Sequence, residues 1–130
     1  RLPWPLPMPK GVITGHFGKQ KDPSGGYVKN EGIYISTVRD QSVRSVFSGE
    51  VTLVNTIPSL GRVVIVRHGN YRSVYANLNK VNVSKGDKVE TLQNIGSVKT
   101  NLSNGETQLY FQIYKDFSPV DPEKWIADKR

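Results

Sequence analysis

The chain has 130 residues, no cysteine and a formal net charge of +7, from 18 Lys and Arg against 11 Asp and Glu. This length fits one domain with one core, and no apolar run approaches the roughly 20 residues of a membrane-spanning helix. The lack of cysteine excludes disulfides, thiolate metal sites and cysteine nucleophiles. The charge favours an anionic partner or surface. Nucleic acid is not the expected partner, because the basic residues are scattered singly and no nucleic-acid-binding motif is present.

In chain order, the sequence predicts a linker-like start followed by an all-β domain. Residues 1–10, RLPWPLPMPK, hold too many prolines for a helix and are expected to order against the domain, residues 11–130, through Trp4. Segments of β-strand composition then alternate with turn signals. They are GVITGHFG, EGIYIST, SVRSVFSGEVTLV, GRVVIVRHG, YRSVYANL, DKVETLQNIGSV and TQLYFQIY. No long segment keeps a helical period, so helix is expected only near DPEKW.

Alternation along three of these segments predicts a polar face rich in tyrosine, because side chains on a strand point to opposite faces with a period of two. This alternation predicts that one face points into the core and carries Ile33, Ile35, Val74, Ala76, Leu78, Leu109, Phe111 and Ile113. The polar face takes Asn30, Gly32, Tyr34, Ser73, Tyr75, Asn77, Gln108, Tyr110, Gln112 and Tyr114. Tyrosine combines a large contact area with a hydrogen-bonding tip and is enriched at binding hot spots. The face therefore predicts a groove for an apolar or amphipathic peptide.

The order of the segments resembles the LytM or lysostaphin type of zinc peptidase domain over almost the whole chain. The segments that carry the resemblance are GVITGHFG, NEGIYIS, VRSVFSGEV, GRVVIVRHG, SVYANL, VSKGDKVETLQNIGSV and TQLYFQIY. The resemblance implies an open, mainly antiparallel β-sheet whose surface groove binds the peptides of bacterial cell walls. The expected fold class is therefore all-β.

The resemblance also implies where a catalytic zinc ion is held in this family. An HxxxD motif and the second histidine of an HxH motif bind the ion, and a histidine in a YAHL strand assists the attacking water together with the first histidine of HxH. The corresponding positions here are Asn30, Tyr34, Asn77, Gln108 and Tyr110. Catalytic zinc is typically held by His nitrogens and carboxylates, so we expect no cofactor and no peptidase activity. The remaining histidines, His16 and His68, are interpreted as structural or exposed.

The closing segment QLYFQIYKDFSPVDPEKWI resembles that of the EnvC-type murein hydrolase activators, which lack the ligands. This resemblance implies a noncatalytic protein of the Gram-negative periplasm that carries an upstream coiled coil at full length. Its partner would be an N-acetylmuramoyl-L-alanine amidase, whose autoinhibitory helix it displaces so that the cell wall is split during division. The residues expected to line the partner-binding groove are Glu31, Tyr34, Leu60, Val63, Tyr75, Asn77, Tyr110 and Tyr114. Glu31 would require a basic residue on the partner helix.

Two alternatives remain open from the sequence. The excess of basic residues and the cell-wall peptides that the family binds are also compatible with a noncatalytic peptidoglycan-binding module. The second alternative is a residual hydrolase with an unrecognised site, although the sequence has no nucleophile elbow.

Overall fold

The computed structural model describes residues 1–7 and 11–127, which form twelve β-strands and one short 3₁₀ helix. The strands are β1 (Val12–Gly15), β2 (Gly18–Lys21), β3 (Tyr27–Asn30), β4 (Ile33–Ser36), β5 (Ser42–Arg44), β6 (Gly49–Ile57), β7 (Gly61–His68), β8 (Tyr71–Val81), β9 (Lys88–Val89), β10 (Asn94–Val98), β11 (Gln108–Lys115) and β12 (Ser118–Val120). The 3₁₀ helix, Pro122–Lys124, lies within DPEKW, where the sequence predicts helix. No helix in the described ranges has the length and apolar character needed to cross a membrane.

The main sheet is antiparallel and open. Its central path runs in the order β1, β4, β11, β8, β7, β6 and β9. Strand β10 pairs with β8 and β5, and β12 pairs with β11. Strands β2 and β3 form a separate two-stranded ribbon. The predicted fold class is therefore confirmed.

The main core lies on one face of this sheet. Ile33 and Ile35 of β4 pack there with Leu109, Phe111 and Ile113 of β11, and all five side chains are buried. Their alternate neighbours point to the opposite face, as a period of two requires. The predicted parity of β4 and β11 is therefore confirmed.

Strand β8 breaks the predicted alternation at a β-bulge. Arg62 of β7 pairs with Leu78, but Val64 pairs with Tyr75, so β8 contains one extra residue between these pairs. Asn77 lies in this stretch with φ +66°, in the left-handed region that asparagine tolerates better than most residues. The side chains of residues 73–76, before the bulge, therefore point to the faces opposite to those predicted. Leu78, after the bulge, lies in the core as expected.

The prediction that Ser73 and Tyr75 lie on the groove face is therefore wrong. Tyr75 is fully buried in the main core, where its hydroxyl accepts from the Val46 N–H and donates to Ser73 Oγ. Val74 and Ala76, which were expected in the main core, pack instead with Val63 against Tyr110 and Tyr114. The bulge explains these four differences, because one extra residue inverts the alternation along the strand.

The first seven residues pack against the domain, where the sequence predicts a linker-like segment that orders through Trp4. Trp4 and Leu6 are buried in the main cluster, because the domain supplies partners for both side chains. The Leu2 N–H donates to the Trp125 carbonyl at 2.9 Å, so the segment is also bonded to the end of the domain. The rest of the predicted linker, residues 8–10, lies outside the described residues, as do residues 128–130 at the end of the predicted domain.

Candidate binding groove

A polar depression lies where β4, β8 and β11 approach the turn between β6 and β7. It has a volume of about 320 Å³ and is lined by Tyr34, Pro58, Ser59, Leu60, Gly61, Asn77, Lys99, Gln108 and Tyr110. Four of the five predicted degenerate positions meet in this lining, namely Tyr34, Asn77, Gln108 and Tyr110. The fifth, Asn30, lies outside it and donates its side-chain amide to the His16 carbonyl at 3.0 Å.

Two tyrosines form one wall of the depression. Tyr34 on β4 pairs with Tyr110 on β11, and their ring centroids are 4.7 Å apart. Burial, together with the nearby Tyr34, Tyr114 and Glu31 side chains, raises the pKa of Tyr110 to about 12, although a hydrogen bond with the Glu31 backbone opposes the shift. Because this pKa is far above neutral, Tyr110 presents a protonated hydroxyl.

The two amides of the depression hold its walls together. Asn77 Nδ2 donates to the Gln108 carbonyl at 2.7 Å, and the Asn77 N–H donates to the Leu60 carbonyl at 2.9 Å. Gln108 Nε2 donates to Thr14 Oγ1 at 3.1 Å. Asn77 thus joins the β6–β7 turn to β11, and Gln108 joins β11 to β1.

This set of side chains does not fit the zinc ion that the family resemblance implies. Zinc in proteins is held by imidazole nitrogens, thiolates and carboxylates, whereas the depression offers phenols, amides, the Ser59 hydroxyl and the ammonium of Lys99. Within residues 1–7 and 11–127, no three His, Cys, Asp or Glu side chains lie close enough together to hold a metal ion.

An apolar depression of about 340 Å³ adjoins the polar one and shares Leu60 with it. Its lining comprises Ile57, Leu60, Val63, Ile65, Arg72, Val74, Gln112, Tyr114, Asp116 and Phe117. Phe117 follows β11 in the turn to β12 and is 91% exposed. A large apolar side chain that remains this exposed beside an apolar depression is typical of an interaction site. We call the two depressions together the groove.

The groove contains most of the residues predicted from the sequence. Tyr34, Leu60, Asn77, Tyr110 and Tyr114 line it directly, and Val63 is a buried part of its floor. Glu31 lies near Tyr110 with an exposed side chain, and its carbonyl accepts from Gln112 Nε2 at 3.2 Å. Tyr75 lies in the core instead.

Sequence reasoning missed four apolar residues of the groove, which are Ile57, Ile65, Val74 and Phe117. The bulge at Asn77 concealed the direction of Val74. Phe117 directly follows Asp116, which has φ +55° in the tight turn between β11 and β12, and no residue pattern in the sequence marks its exposure.

Both histidines of the chain lie outside the lining of the groove. His16 Nδ1 is 2.6 Å from Glu123 Oε2. His68 Nδ1 donates to the Ser48 carbonyl at 2.8 Å, and its Nε2 then accepts from the Ser73 hydroxyl at 2.7 Å. Burial lowers the pKa of His68, although the bond to the Ser48 backbone opposes the shift.

Comparison with known proteins identifies the family. Residues 28–122 match the model of peptidase family M23. The chain belongs to peptidase family M23. This membership confirms the family that the sequence resembles. A curated relative, the murein hydrolase activator EnvC of Escherichia coli (strain K12), is 28% identical over 125 residues, which cover 95% of this chain and 28% of EnvC.

Solved structures of similar proteins include both a peptidase and part of a protein complex. A zinc-containing peptidase from Vibrio cholerae superimposes with a TM-score of 0.83 at 29% identity, over 98% of this chain and 40% of that one. A chain of the SpoIIQ–SpoIIIAH pore-forming complex also has a TM-score of 0.83, at 26% identity, over 99% of this chain and 92% of that one. The chain spans only 19% to 31% of the length of the curated relatives that it matches.

Proposed function

We propose that this M23 domain is a noncatalytic activator of peptidoglycan amidases in the periplasm of a Gram-negative bacterium. It binds the autoinhibitory helix of an N-acetylmuramoyl-L-alanine amidase in the groove and so promotes cell-wall splitting during division. The observation that carries the proposal is the contact between Tyr34 and Tyr110, whose rings lie 4.7 Å apart at positions where the family resemblance places zinc ligands.

The chemistry of the groove supports a helical partner. An amphipathic helix binds a groove through apolar side chains at i, i+3 and i+4, and its polar residues remain at the edges. The apolar depression around Val63 and Tyr114 would receive the apolar side chains. The polar depression around Asn77 and Lys99 would receive the hydrogen-bonding groups.

The relatives support the same class of function. EnvC is named a murein hydrolase activator, which is a protein that acts on an enzyme of the cell wall. The similar chain of the SpoIIQ–SpoIIIAH complex shows that this fold also occurs in a protein assembly. We extend the first of these roles to this chain.

The test combines the purified 130-residue chain with amidases and fluorescently labelled cell wall. We expect no release of label by the chain alone, slow release by a cognate amidase alone, and fast release by the two together. An amidase that lacks its autoinhibitory helix is the matched control, since it should be fast with or without the chain. Release by the chain alone would overturn the noncatalytic part of the proposal, and no acceleration of any amidase would overturn the activator part.

Metal analysis tests the noncatalytic reading independently. After dialysis against buffer, the chain is expected to retain much less than one zinc ion per molecule, because the depression lacks imidazole and carboxylate ligands. One tightly held zinc ion, lost on replacement of Tyr34 and Tyr110, would contradict this expectation.

A noncatalytic peptidoglycan-binding module remains the second candidate, because the net charge of +7 favours an anionic polymer. Cell-wall binding without acceleration of an amidase would support it over the activator.

A further inference from the structure

The ribbon formed by β2 and β3 has an unusual pairing of charges. Lys19 lies directly opposite Lys29, and Lys21 lies directly opposite Tyr27. Residues opposite each other in an antiparallel pair project from the same face, and opposed like charges destabilise the pair. One face of the ribbon therefore carries three ammonium groups and one aromatic ring. All four side chains are exposed, and Tyr27 is 65% exposed.

No acidic side chain neutralises this face in the described part of the chain. The three ion pairs found there involve His16, Arg67 and Lys88, but none of the ribbon lysines. Asp22, at the tip of the ribbon, accepts hydrogen bonds from the Ser24 N–H and hydroxyl instead. Lys19 Nζ lies 4.3 Å from the centre of the Tyr27 ring, so one ammonium is held against the aromatic face.

We propose that this face of the β2–β3 ribbon is a second binding site, distinct from the groove, and that it binds the acidic peptidoglycan polymer. Lys21 and Lys29 would pair with free carboxylates of the peptide stems. Tyr27 would pack against a sugar ring. An anion bound between Lys19 and Lys29 would also remove the repulsion between their ammonium groups. Anion binding therefore explains why two like charges lie opposite each other on the ribbon.

Two other polyanions fit the ribbon less well. A ribbon that enters a membrane needs an apolar tip, whereas this tip is Asp22, Pro23, Ser24, Gly25 and Gly26. Nucleic-acid-binding domains carry Lys and Arg clustered in a basic patch or stripe, and three lysines on one short ribbon form too small a patch. An insoluble polymer with repeated carboxylates suits a weak site better, because many molecules can rebind along the same network.

The site rests on the proposed function only for its location at the cell wall, since its residues are separate from the groove. It would keep an activator close to the wall while the groove remains available for the amidase.

Co-sedimentation of the full chain with purified cell-wall sacculi tests the site. The test variant combines Lys19→Gln, Lys21→Gln and Lys29→Gln, and the matched control combines Lys80→Gln, Lys85→Gln and Lys115→Gln. Both triple variants replace exposed lysines and lower the net charge by three. We expect the ribbon variant to bind about tenfold more weakly and the control to keep near-normal binding, since each exposed charge pair contributes up to about 1 kcal/mol.

Further arms identify the polyanion and the role of the ring. Tyr27→Ala should also weaken binding to sacculi, and salt should weaken binding of the unaltered chain. Equal binding by both triple variants would overturn the ribbon as the site. Tighter binding to vesicles of anionic phospholipid, or to a single-stranded oligonucleotide, would overturn peptidoglycan as its ligand. Thermal melts of all variants exclude unfolding as the cause of a loss.

The outcomes also separate this inference from the proposed function. Amidase acceleration without any binding of the chain to sacculi would overturn the ribbon site and leave the activator intact. Ribbon-dependent binding without acceleration would overturn the activator and support the ribbon site.

Discussion

Tyr110 is the residue on which the groove can be tested most directly, because it contacts Tyr34 and packs over Val63, Val74 and Ala76. If the ring anchors the partner helix, Tyr110→Ala should weaken amidase binding by about 2 kcal/mol, the size of an interface hot spot. This loss corresponds to roughly thirtyfold in affinity. Titration calorimetry with the amidase measures it.

Leu109→Ala is the folding control for this variant. Leu109 is fully buried in the main core, so its truncation should cost about 2–5 kcal/mol of stability. Tyr110→Ala should cost less, since its side chain is only partly buried. Normal amidase activation by Tyr110→Ala would show that the tyrosine wall is not the working surface.

His68 is expected to make the domain sensitive to acid. Its pKa is lowered in the fold from the ordinary value of 6.5, because burial disfavours the charged ring. A lowered pKa means that the unfolded chain binds the proton more readily. The stabilisation is therefore fully present above pH 6.5 and is lost as the pH falls through the lower, folded-state pKa.

Denaturant unfolding at a series of pH values measures this effect. His68→Gln should have a smaller decrease in unfolding free energy below pH 6.5 than the unaltered chain, whatever its stability at neutral pH. If the unfolding free energies of the two proteins fell in parallel with pH, the acid sensitivity would belong to other groups.

Among the secondary-structure elements, strand β8 depends on the conformation of a single residue. Asn77 has φ +66° and donates its side-chain amide to the carbonyls of Gln108 and Lys99. Asn77→Gly keeps this φ without strain, and its unfolding free energy should fall by about 1 kcal/mol because the side-chain hydrogen bonds are missing. In Asn77→Val, a β-branched side chain is also strained in the left-handed conformation. Its unfolding free energy should fall by about 2–3 kcal/mol in total.

Asn79→Val is the matched control, because Asn79 is exposed on the same strand and has no positive φ. Its unfolding free energy should change by less than about 0.5 kcal/mol, as for most surface substitutions. If Asn77→Val proved as stable as Asn77→Gly, the left-handed conformation would not be needed for the bulge.

At the scale of the whole molecule, the chain start and the chain end stabilise the same core. Deletion of residues 1–7 removes the buried side chains of Trp4 and Leu6, together with the backbone bonds between Leu2 and the end of the domain. We expect an unfolding free energy lower by at least about 3 kcal/mol, as for the loss of large core side chains. Thermal and denaturant melts of the two chains measure the difference.

Arg1→Ala separates the two ways in which the chain start stabilises the domain, which are burial of apolar side chains and hydrogen bonding. The Arg1 side chain donates to the Ile126 carbonyl at 3.1 Å but is not part of the core. Its loss should cost at most about 1 kcal/mol. An equal melting temperature for the deleted and full chains would mean that Trp4 and Leu6 contribute little to stability.

The sequence alone determined the all-β class, the core faces of β4 and β11, and the shared face of Tyr34 and Tyr110. These features depend on the alternation of residues along a strand, which is local and can be read from spacing. Alternation therefore places Tyr34 and Tyr110 on one face, where their rings are in contact.

The tertiary structure alone decided the direction of Tyr75 and Val74, the apolar half of the groove and the burial of Leu6 near the chain start. The left-handed conformation of Asn77 is held by Leu60, Lys99 and Gln108, which lie on other segments, so no local pattern shows the bulge. The apolar depression joins the β6–β7 turn to the β11–β12 turn. Trp4 and Leu6 become core residues because distant strands bury them. Each of these features depends on contacts between segments far apart in the chain, which residue spacing does not record.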